Sequence, residues 1–238
     1  MFALHLVPGV GTHGVGQARV VGFSYGYFGT VNHSVRGVDM GLFTYTSHTV
    51  FGWQAASVVG MTWGSVTGVQ TSGAVALAGD VNGWQAAGAV CAAGDVDGAQ
   101  TAGAVAIAKT VDGAQLSGAV GVAGHVDGVQ ASGAVSVAKS IDGVQLAGAV
   151  NVTGRLKGLQ LGVVNVVGHI ESGDAVGLFT FAGNGYNHLS LYTVGSERVD
   201  AALTFGGKRV YTIASVGMEG VSDSEGRRRG RSSEPEAI

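Results

Sequence analysis

With 238 residues, of which 43 are glycine, 2 proline and 1 cysteine, and with a formal net charge of −3, the chain departs from an average soluble protein. One cysteine excludes an internal disulfide framework and a cysteine-based zinc site, and glycine without a triplet period excludes collagen. The small negative charge gives the body of the protein no field to gather nucleic acid, and the sequence has no run of eighteen apolar residues to form a transmembrane helix.

Residues 1–66 are expected to form aromatic strands. The segment from Gly9 to Gly14 has G-x-G-x-x-G spacing, but Pro8 precedes it and strand-like sequence follows, whereas a dinucleotide site needs a strand before it and a helix after it. Ser24 is the centre of a G-x-S-x-G motif, but the sequence continues as a strand where a nucleophile elbow needs a helix. We therefore predict a non-enzymatic protein with no catalytic residue and no cofactor.

Residues 67–170 form a repeat array with a period of fifteen residues. Each copy carries one glutamine at the same place, Gln54 lies one residue out of step before the series, and the last copy is one residue short. A fixed spacing of this kind is the signature of a repeat architecture. The glutamines that mark the repeats are Gln70, Gln85, Gln100, Gln115, Gln130, Gln145 and Gln160.

Side chains alternate in type along each copy, which is the period-two pattern of a β-strand. In one copy the first face carries Thr101, Val105 and Ile107, and the opposite face carries Gln100 followed by alanines. A helix is a poor alternative, because a glycine at a fixed position in every copy would cost about 1 kcal/mol each time. The array is therefore predicted to be all-β, with one branched apolar face and one face of small residues and an amide.

Asp-Gly pairs punctuate the copies and predict tight hairpin turns, because glycine supplies the positive φ that such turns need. With Asp112 and Gly113 at the centre of a turn, Val111 would pair with Ala114. Calcium is an alternative for these carboxylates, but the related glycine–aspartate calcium repeats recur at nine residues instead of fifteen. The predicted turn residues are Asp97, Gly98, Asp112, Gly113, Asp127, Gly128, Asp142 and Gly143.

Residues 171–218 are expected to form hairpin strands, and residues 219–238 a disordered, charged tail. The basic run from Gly226 to Arg231 lies in this tail, and a run of this composition is usually solvated. The histidines have no spacing typical of a metal-binding helix, so we predict no metal site. They are His5, His13, His33, His48, His125, His169 and His188.

Two architectures fit an all-β array of this kind. In the first, an antiparallel meander closes into an outer-membrane-type β-barrel with the valine face toward lipid, as the strand lengths and the scarcity of charge on both faces suggest. In the alternative, the copies stack as coils of a β-solenoid with the valine face inside and with aromatic caps, as the uniform turn spacing suggests. The uncharged faces favour the barrel, because a face of small uncharged residues makes a poor soluble exterior.

The segments GVQLAGAVNVTGR (residues 143–155) and GLQLGVVNVVGHI (residues 158–170) resemble the repeat of a bacterial cell-surface repeat family that carries strings of G-[LV]-Q-[LIV]-[AG]-x-V-N. The resemblance implies an exported protein at the outer membrane or cell surface of a two-membrane bacterium, with no catalytic activity, although the start of the chain lacks the pattern of a signal peptide. We expect a structural or pore-like protein that contacts the lipid bilayer, or alternatively a soluble solenoid scaffold for protein–protein interaction, with self-association or a surface partner possible.

Overall fold

The computed structural model describes residues 2–7, 10–11, 19–194, 198–207 and 209–219, and within these residues the regular structure is β-strand throughout. Two short strands, β1 (Phe2–Val7) and β2 (Val10–Gly11), precede a long winding strand, β3 (Arg19–Ser72). The repeat then gives β4 (Val75–Ala87), β5 (Val90–Ala102), β6 (Val105–Ser117), β7 (Val120–Ser132), β8 (Val135–Ala147), β9 (Val150–Leu161) and β10 (Val164–Val176). The chain continues as β11 (Phe179–Ala182), β12 (Tyr186–Val194), β13 (Arg198–Gly206) and β14 (Tyr211–Glu219).

Neighbouring copies of the repeat pair in parallel, and each residue lies beside its equivalent in the next copy. Val111, for example, pairs with Val96 on one side and Val126 on the other. The strands from β3 to β11 follow one another in a single sheet in chain order, so the array is a β-solenoid. The prediction of an antiparallel meander closed into a barrel is therefore wrong, and the alternative of a solenoid is confirmed.

Each coil consists of three straight segments separated by three corners, as the coil of residues 90–104 illustrates. The first segment is Val90–Ala93, and the next ladder pair after it begins at Asp95, which leaves a corner between them. The second segment ends at Gly98, whose φ is 123°. The third segment, 99–102, is followed by a bend at Gly103 and Ala104.

The predicted hairpin turns are corners of the coil. Gly113 has the expected positive φ, 122°, but the chain leaves it toward a parallel neighbour instead of folding back on itself. A Cβ atom at Gly113 would lie 2.2 Å from the carbonyl oxygen of Gly98 in the coil below, so the position needs glycine for space as well as for φ. Asp97, Asp112, Asp127 and Asp142, with the glycines Gly98, Gly113, Gly128 and Gly143, stack in two parallel rows along this corner.

The glutamine face points into the coil and the valine face points out. Gln115 and Ala106 are fully buried, whereas Ile107 is 43% exposed. The valine face is therefore not inside the solenoid, as the alternative architecture had assumed. A coil with sides of about five residues has a narrow interior, which holds small side chains, one amide and one branched apolar side chain. The branched side chain comes from the second segment, as at Val96, Val111 and Val126.

Irregularities of the repeat fall at corners and leave the ladders intact. The extra residue between Gln54 and Gln70 is accommodated near Trp63 and Gly64, where the register shifts between Thr62 and Ser65. The shortened last copy is compensated by a second shift, between Ile170 and Ser172. Insertions at corners are tolerated because they do not displace the stacked side chains of the straight segments.

The two ends of the solenoid differ. At one end β1 pairs in parallel with the start of β3, and β2 pairs antiparallel with β1. At the other end β12, β13 and β14 form a separate antiparallel sheet, in the region for which the sequence indicates hairpin strands. Phe205 of this sheet stacks on Phe179 and Phe181 of β11, with ring centroids 5.6 Å apart in each case, so that the sheet contacts the last coil.

Candidate functional site

The buried glutamines form one continuous amide ladder through the core. Gln115 donates from Nε2 to Oε1 of Gln100 at 2.9 Å, and Gln130 donates in the same way to Gln115 at 2.8 Å. The same bond joins each consecutive pair from Gln54 to Gln160, over distances of 2.7–2.9 Å. Most of the ladder amides also donate to a backbone carbonyl inside the coil, as Gln115 does to Val122. Apart from Oε1 of Gln160, the oxygens of the ladder amides therefore have protein partners.

The ladder has a direction and two different ends. Every side chain donates toward the amino-terminal end, where the equivalent position one coil before Gln54 is Asp39, an acceptor for Gln54. At the other end the position that pairs with Gln160 is Ala175, which has no polar side chain. Oε1 of Gln160 is buried without a hydrogen-bond partner. The ladder thus begins on a carboxylate acceptor and ends on an unsatisfied acceptor.

Asp39 is the centre of a buried polar cluster. Its carboxylate accepts from Oγ1 of Thr30 at 3.0 Å and from Nδ2 of Asn32 at 3.1 Å, and Asn32 also donates to Oγ of Ser24 at 3.3 Å. Burial raises the pKa of Asp39 to about 6 against the lowering effect of its hydrogen bonds to Ser24, Thr30, Gln54 and Asn32. Ser24 and Asp39 are both fully buried, so a substrate has no access to either group.

The outer surface of the second segment, here called the acidic side, carries most of the charge of the array. Its first row contains Asp80, Asp95, Thr110, His125, Ser140 and Arg155, and its second row contains Asn82, Asp97, Asp112, Asp127, Asp142 and Lys157.

The second row of the acidic side places four aspartates on consecutive coils. Only the ends of this run have polar neighbours of other types: Asn82 donates to Asp97 at 3.4 Å, and Lys157 pairs with Asp142 at 2.5 Å. The Asp142 carboxylate raises the pKa of Lys157 through this hydrogen bond. Among the described residues, no group of three or more histidine, cysteine or acidic side chains is arranged to hold a metal ion.

The outer surface of the first segment, here called the valine side, is apolar in every coil from β3 to β11. It is partly to largely exposed: Ile107 is 43% exposed, Val166 is 39% and Phe181 is 48%. Its rows are Val59, Val75, Val90, Val105, Val120, Val135, Val150, Val164 and Phe179, and, two residues further on, Met61, Leu77, Ala92, Ile107, Val122, Val137, Val152, Val166 and Phe181.

The outer surface of the third segment, here called the mixed side, is less regular. Trp84 projects from it and donates from Nε1 to Thr101 at 3.0 Å, while the next coil has only Ala99 at the equivalent place. Shallow depressions of about 430 Å³ and 480 Å³ lie on this side, one around Leu116 and Gly118 and one around Tyr25 and Met40. They are lined by glycine, alanine, serine, threonine and aliphatic or aromatic groups, and among these lining residues none is an aspartate, glutamate, histidine, lysine or arginine.

The remaining motifs and the histidines form no common site among the described residues. The G-x-G-x-x-G segment lies outside the described residues except for Val10 and Gly11, and the side chains of His5 and His13 lie outside them as well. The ring centroids of His33 and His48 lie 3.9 Å apart with the rings tilted by 37°, and Nδ1 of His125 lies 2.7 Å from Oγ of Ser140. His169 and His188 lie on β10 and β12, and the predicted tail lies outside the described residues beyond Glu219.

Cys91 fills an inner position of the core. It occupies the row that holds Ala76 and Ala106, and its Sγ donates to the carbonyl of Thr101. Burial raises the pKa of its thiol to about 12, so the group is a small packing residue and not a nucleophile.

In the described part of the chain, no helix is long and apolar enough to cross a membrane.

Comparisons of the chain with protein-family models, with curated proteins and with solved structures found no match.

Proposed function

We propose that the chain is a non-enzymatic β-solenoid scaffold that binds a macromolecular partner through its valine side. The observation that carries this proposal is the contrast between adjacent sides of one coil: Ile107 is an exposed apolar side chain, whereas Asp112, five residues later, lies in a row of carboxylates. An apolar side that is rimmed by a polar one is typical of a surface covered by a partner.

The dimensions of the valine side support the proposal. The last coil contacts Phe205 through Phe179 and Phe181 and is left out of the area. The remaining eight coils at about 4.8 Å and a segment of four residues give a plane of about 38 Å by 13 Å, or about 500 Å². This value lies in the upper part of the range for the largest apolar patch of a monomer, and such patches are often functional. A regular, rigid face built on a continuous sheet also costs little conformational entropy when it binds.

The absence of an enzymatic role is part of the proposal and rests on the chemistry of the candidate groups. The buried Ser24–Asp39 cluster has no histidine partner among its hydrogen bonds and no access for a substrate. Its position at the end of the glutamine ladder gives it a structural role, because Asp39 accepts the last ladder bond. Placement at the surface of a two-membrane bacterium, and membership of the repeat family that the sequence resembles, belong to the same proposal and rest on the resemblance alone.

A site-specific photocrosslinker tests the proposal. It is incorporated at Ile107, on the valine side, and, as a matched control in the same coil, at Asp112 on the acidic side, and both proteins are irradiated in cells of the source organism. We expect a covalent adduct from position 107 and none from position 112. Equal adducts from both positions, or none from position 107, would contradict the proposal.

A further inference from the structure

We infer that the partner of the valine side is a second copy of this chain, packed face to face as two stacked sheets; this inference rests on the proposed function of that side. The inference concerns the surface formed by the two outer rows that contain Val120 and Ile107. Their side chains stand on a parallel sheet in which equivalent residues are Cα partners, so both rows are straight, and the row that contains Val120 is also of nearly constant height.

Flatness favours the valine side over the mixed side. One row of the valine side has valine in seven consecutive coils, from Val75 to Val164. The corresponding row of the mixed side steps from Trp84 to Ala99 within one coil. Sheets that pack face to face do so at about 10 Å with interdigitated apolar side chains, and a row of β-branched residues of one size meets this requirement with its own copy.

The area of the valine side reaches the lower limit for a stable dimer. About 500 Å² from each copy gives a total of about 1,000 Å², the lower limit for a specific protein interface. A two-fold arrangement places the same patch on both copies, so one apolar side is sufficient to form a closed pair.

The charge distribution distinguishes a second copy from a lipid surface. Apolar surfaces that bind membranes combine their apolar face with a basic rim. The side adjacent to the valine side is net acidic as a whole, with six aspartates against four basic residues on that side and at its corner. The lysines Lys109 and Lys139 lie at the corner shared with the valine side, and the row of Asp97, Asp112, Asp127 and Asp142 lies at the far edge. In a face-to-face pair the acidic sides point away from the interface and stay hydrated, whereas an anionic membrane would repel them.

One coil offers a matched pair of substitutions. Ile107 on the valine side and Leu116 on the mixed side are both 43% exposed, both aliphatic and nine residues apart. Ile107→Lys places two ammonium groups in the apolar interface of a two-fold dimer, since each substitution occurs twice. We expect the dimer Kd to rise by at least 100-fold, while Leu116→Lys leaves it within about 3-fold. Ile107→Thr, a milder change, is expected to raise the Kd by about 10-fold and covers the case in which the lysine variant does not fold.

The experiment is sedimentation equilibrium of the full chain and its variants in buffer without detergent, with circular dichroism to confirm the fold. The inference expects twice the monomer mass of 23.7 kDa for the natural chain and for Leu116→Lys, and the monomer mass for Ile107→Lys. A natural chain that is monomeric overturns the inference. So does a dimer that is dissociated by Leu116→Lys alone, and so does a dimer that is weakened by neither Ile107→Lys nor Ile107→Thr. Flotation of a monomeric natural chain with vesicles of phosphatidylcholine and phosphatidylglycerol would also overturn it.

The two proposals fail separately. If the photocrosslinker at position 107 gives adducts with another protein only, the second-copy inference is wrong and the scaffold remains. If it gives no adduct of any kind, both are wrong. An adduct of twice the chain mass supports both. As a check, the photocrosslinker is moved to a neighbouring valine-side position, where Ile107→Lys should abolish the adduct.

Discussion

Replacing a glutamine in the middle of the ladder should cost far more than replacing the one at its end. Gln115→Leu removes the donor to Oε1 of Gln100 and to the carbonyl of Val122, and it removes the acceptor of Gln130, so three polar groups lose a partner. Gln130 keeps its second bond, to the carbonyl of Val137. With about 1–3 kcal/mol for each unsatisfied group, the free energy of unfolding should fall by about 2–5 kcal/mol.

Gln160→Leu is the matched control for this substitution. It removes the donor to Gln145, but it also removes Oε1 of Gln160, which is buried without a partner. The number of unsatisfied groups is therefore unchanged, and leucine fills nearly the same volume. We expect a cost of less than about 1 kcal/mol.

Urea unfolding followed by circular dichroism measures both variants, and hydrogen exchange of the neighbouring coils shows whether the loss is local, as expected when each coil contacts only its neighbours. The prediction is a difference of at least about 1 kcal/mol between the variants, with Gln115→Leu the less stable. Equal costs for the two substitutions would refute the reasoning that the ladder is a chain of satisfied amides with one unsatisfied end.

Three further predictions follow from single contacts. Burial holds the pKa of Asp39 near 6, above its value of 3.8 in the unfolded chain, so its contribution to stability is present below pH 3.8 and is lost as the pH rises to about 6. The free energy of unfolding of the natural chain should therefore fall by up to about 3 kcal/mol over this pH interval, relative to that of Asp39→Asn. If the two proteins give parallel pH profiles in urea unfolding, this assignment is wrong. Asp127→Lys should raise Tm by about 2–4 °C, because it places a cation between Asp112 and Asp142 in the row of carboxylates, and the gain in differential scanning calorimetry should shrink in high salt; a gain that is insensitive to salt would point to another cause. Gly113→Ala should destabilise the chain by more than about 2 kcal/mol, because Cβ would lie 2.2 Å from the Gly98 oxygen at a φ of 122°, whereas Ala114→Gly in the same corner should cost about 1 kcal/mol or less in chemical denaturation.

The strand class and the fifteen-residue period could be predicted from the sequence, because side-chain alternation and the spacing of Gln70 to Gln160 are local properties. The direction of the neighbouring strands could not. A glycine with positive φ after aspartate serves a hairpin turn and a solenoid corner equally well, and Gly113 has such a φ in a parallel coil. Stacking of identical residues at identical places, as in a glutamine ladder, is the signal that separates the two architectures.

The inward face was also beyond local reasoning. Ile107 belongs to the more apolar face, and the hydrophobic effect alone would bury it ahead of Gln115. The narrow coil reverses this order, because its interior accepts alanine and one amide per coil, and each amide is satisfied by the next. The barrel prediction had the valine face pointing outward, toward lipid, whereas the solenoid alternative placed it inside, so the correct architecture was not combined with the correct outward face.

A distance between two points five coils apart tests the parallel stacking most directly. Asn82 and Lys157 are exposed and lie at the two ends of one outer row, so spin labels on cysteines at these positions, in a Cys91→Ala background, do not disturb the core. In a parallel solenoid, five steps of about 4.8 Å place the two labelled positions about 24 Å apart, and the measured distance differs from this value only by the length of the label tethers. In an antiparallel meander, equivalent positions of successive repeats would alternate between the two ends of the strands. Two positions five repeats apart would therefore lie at opposite ends of the sheet. A double electron–electron resonance distance beyond about 40 Å would therefore contradict the solenoid.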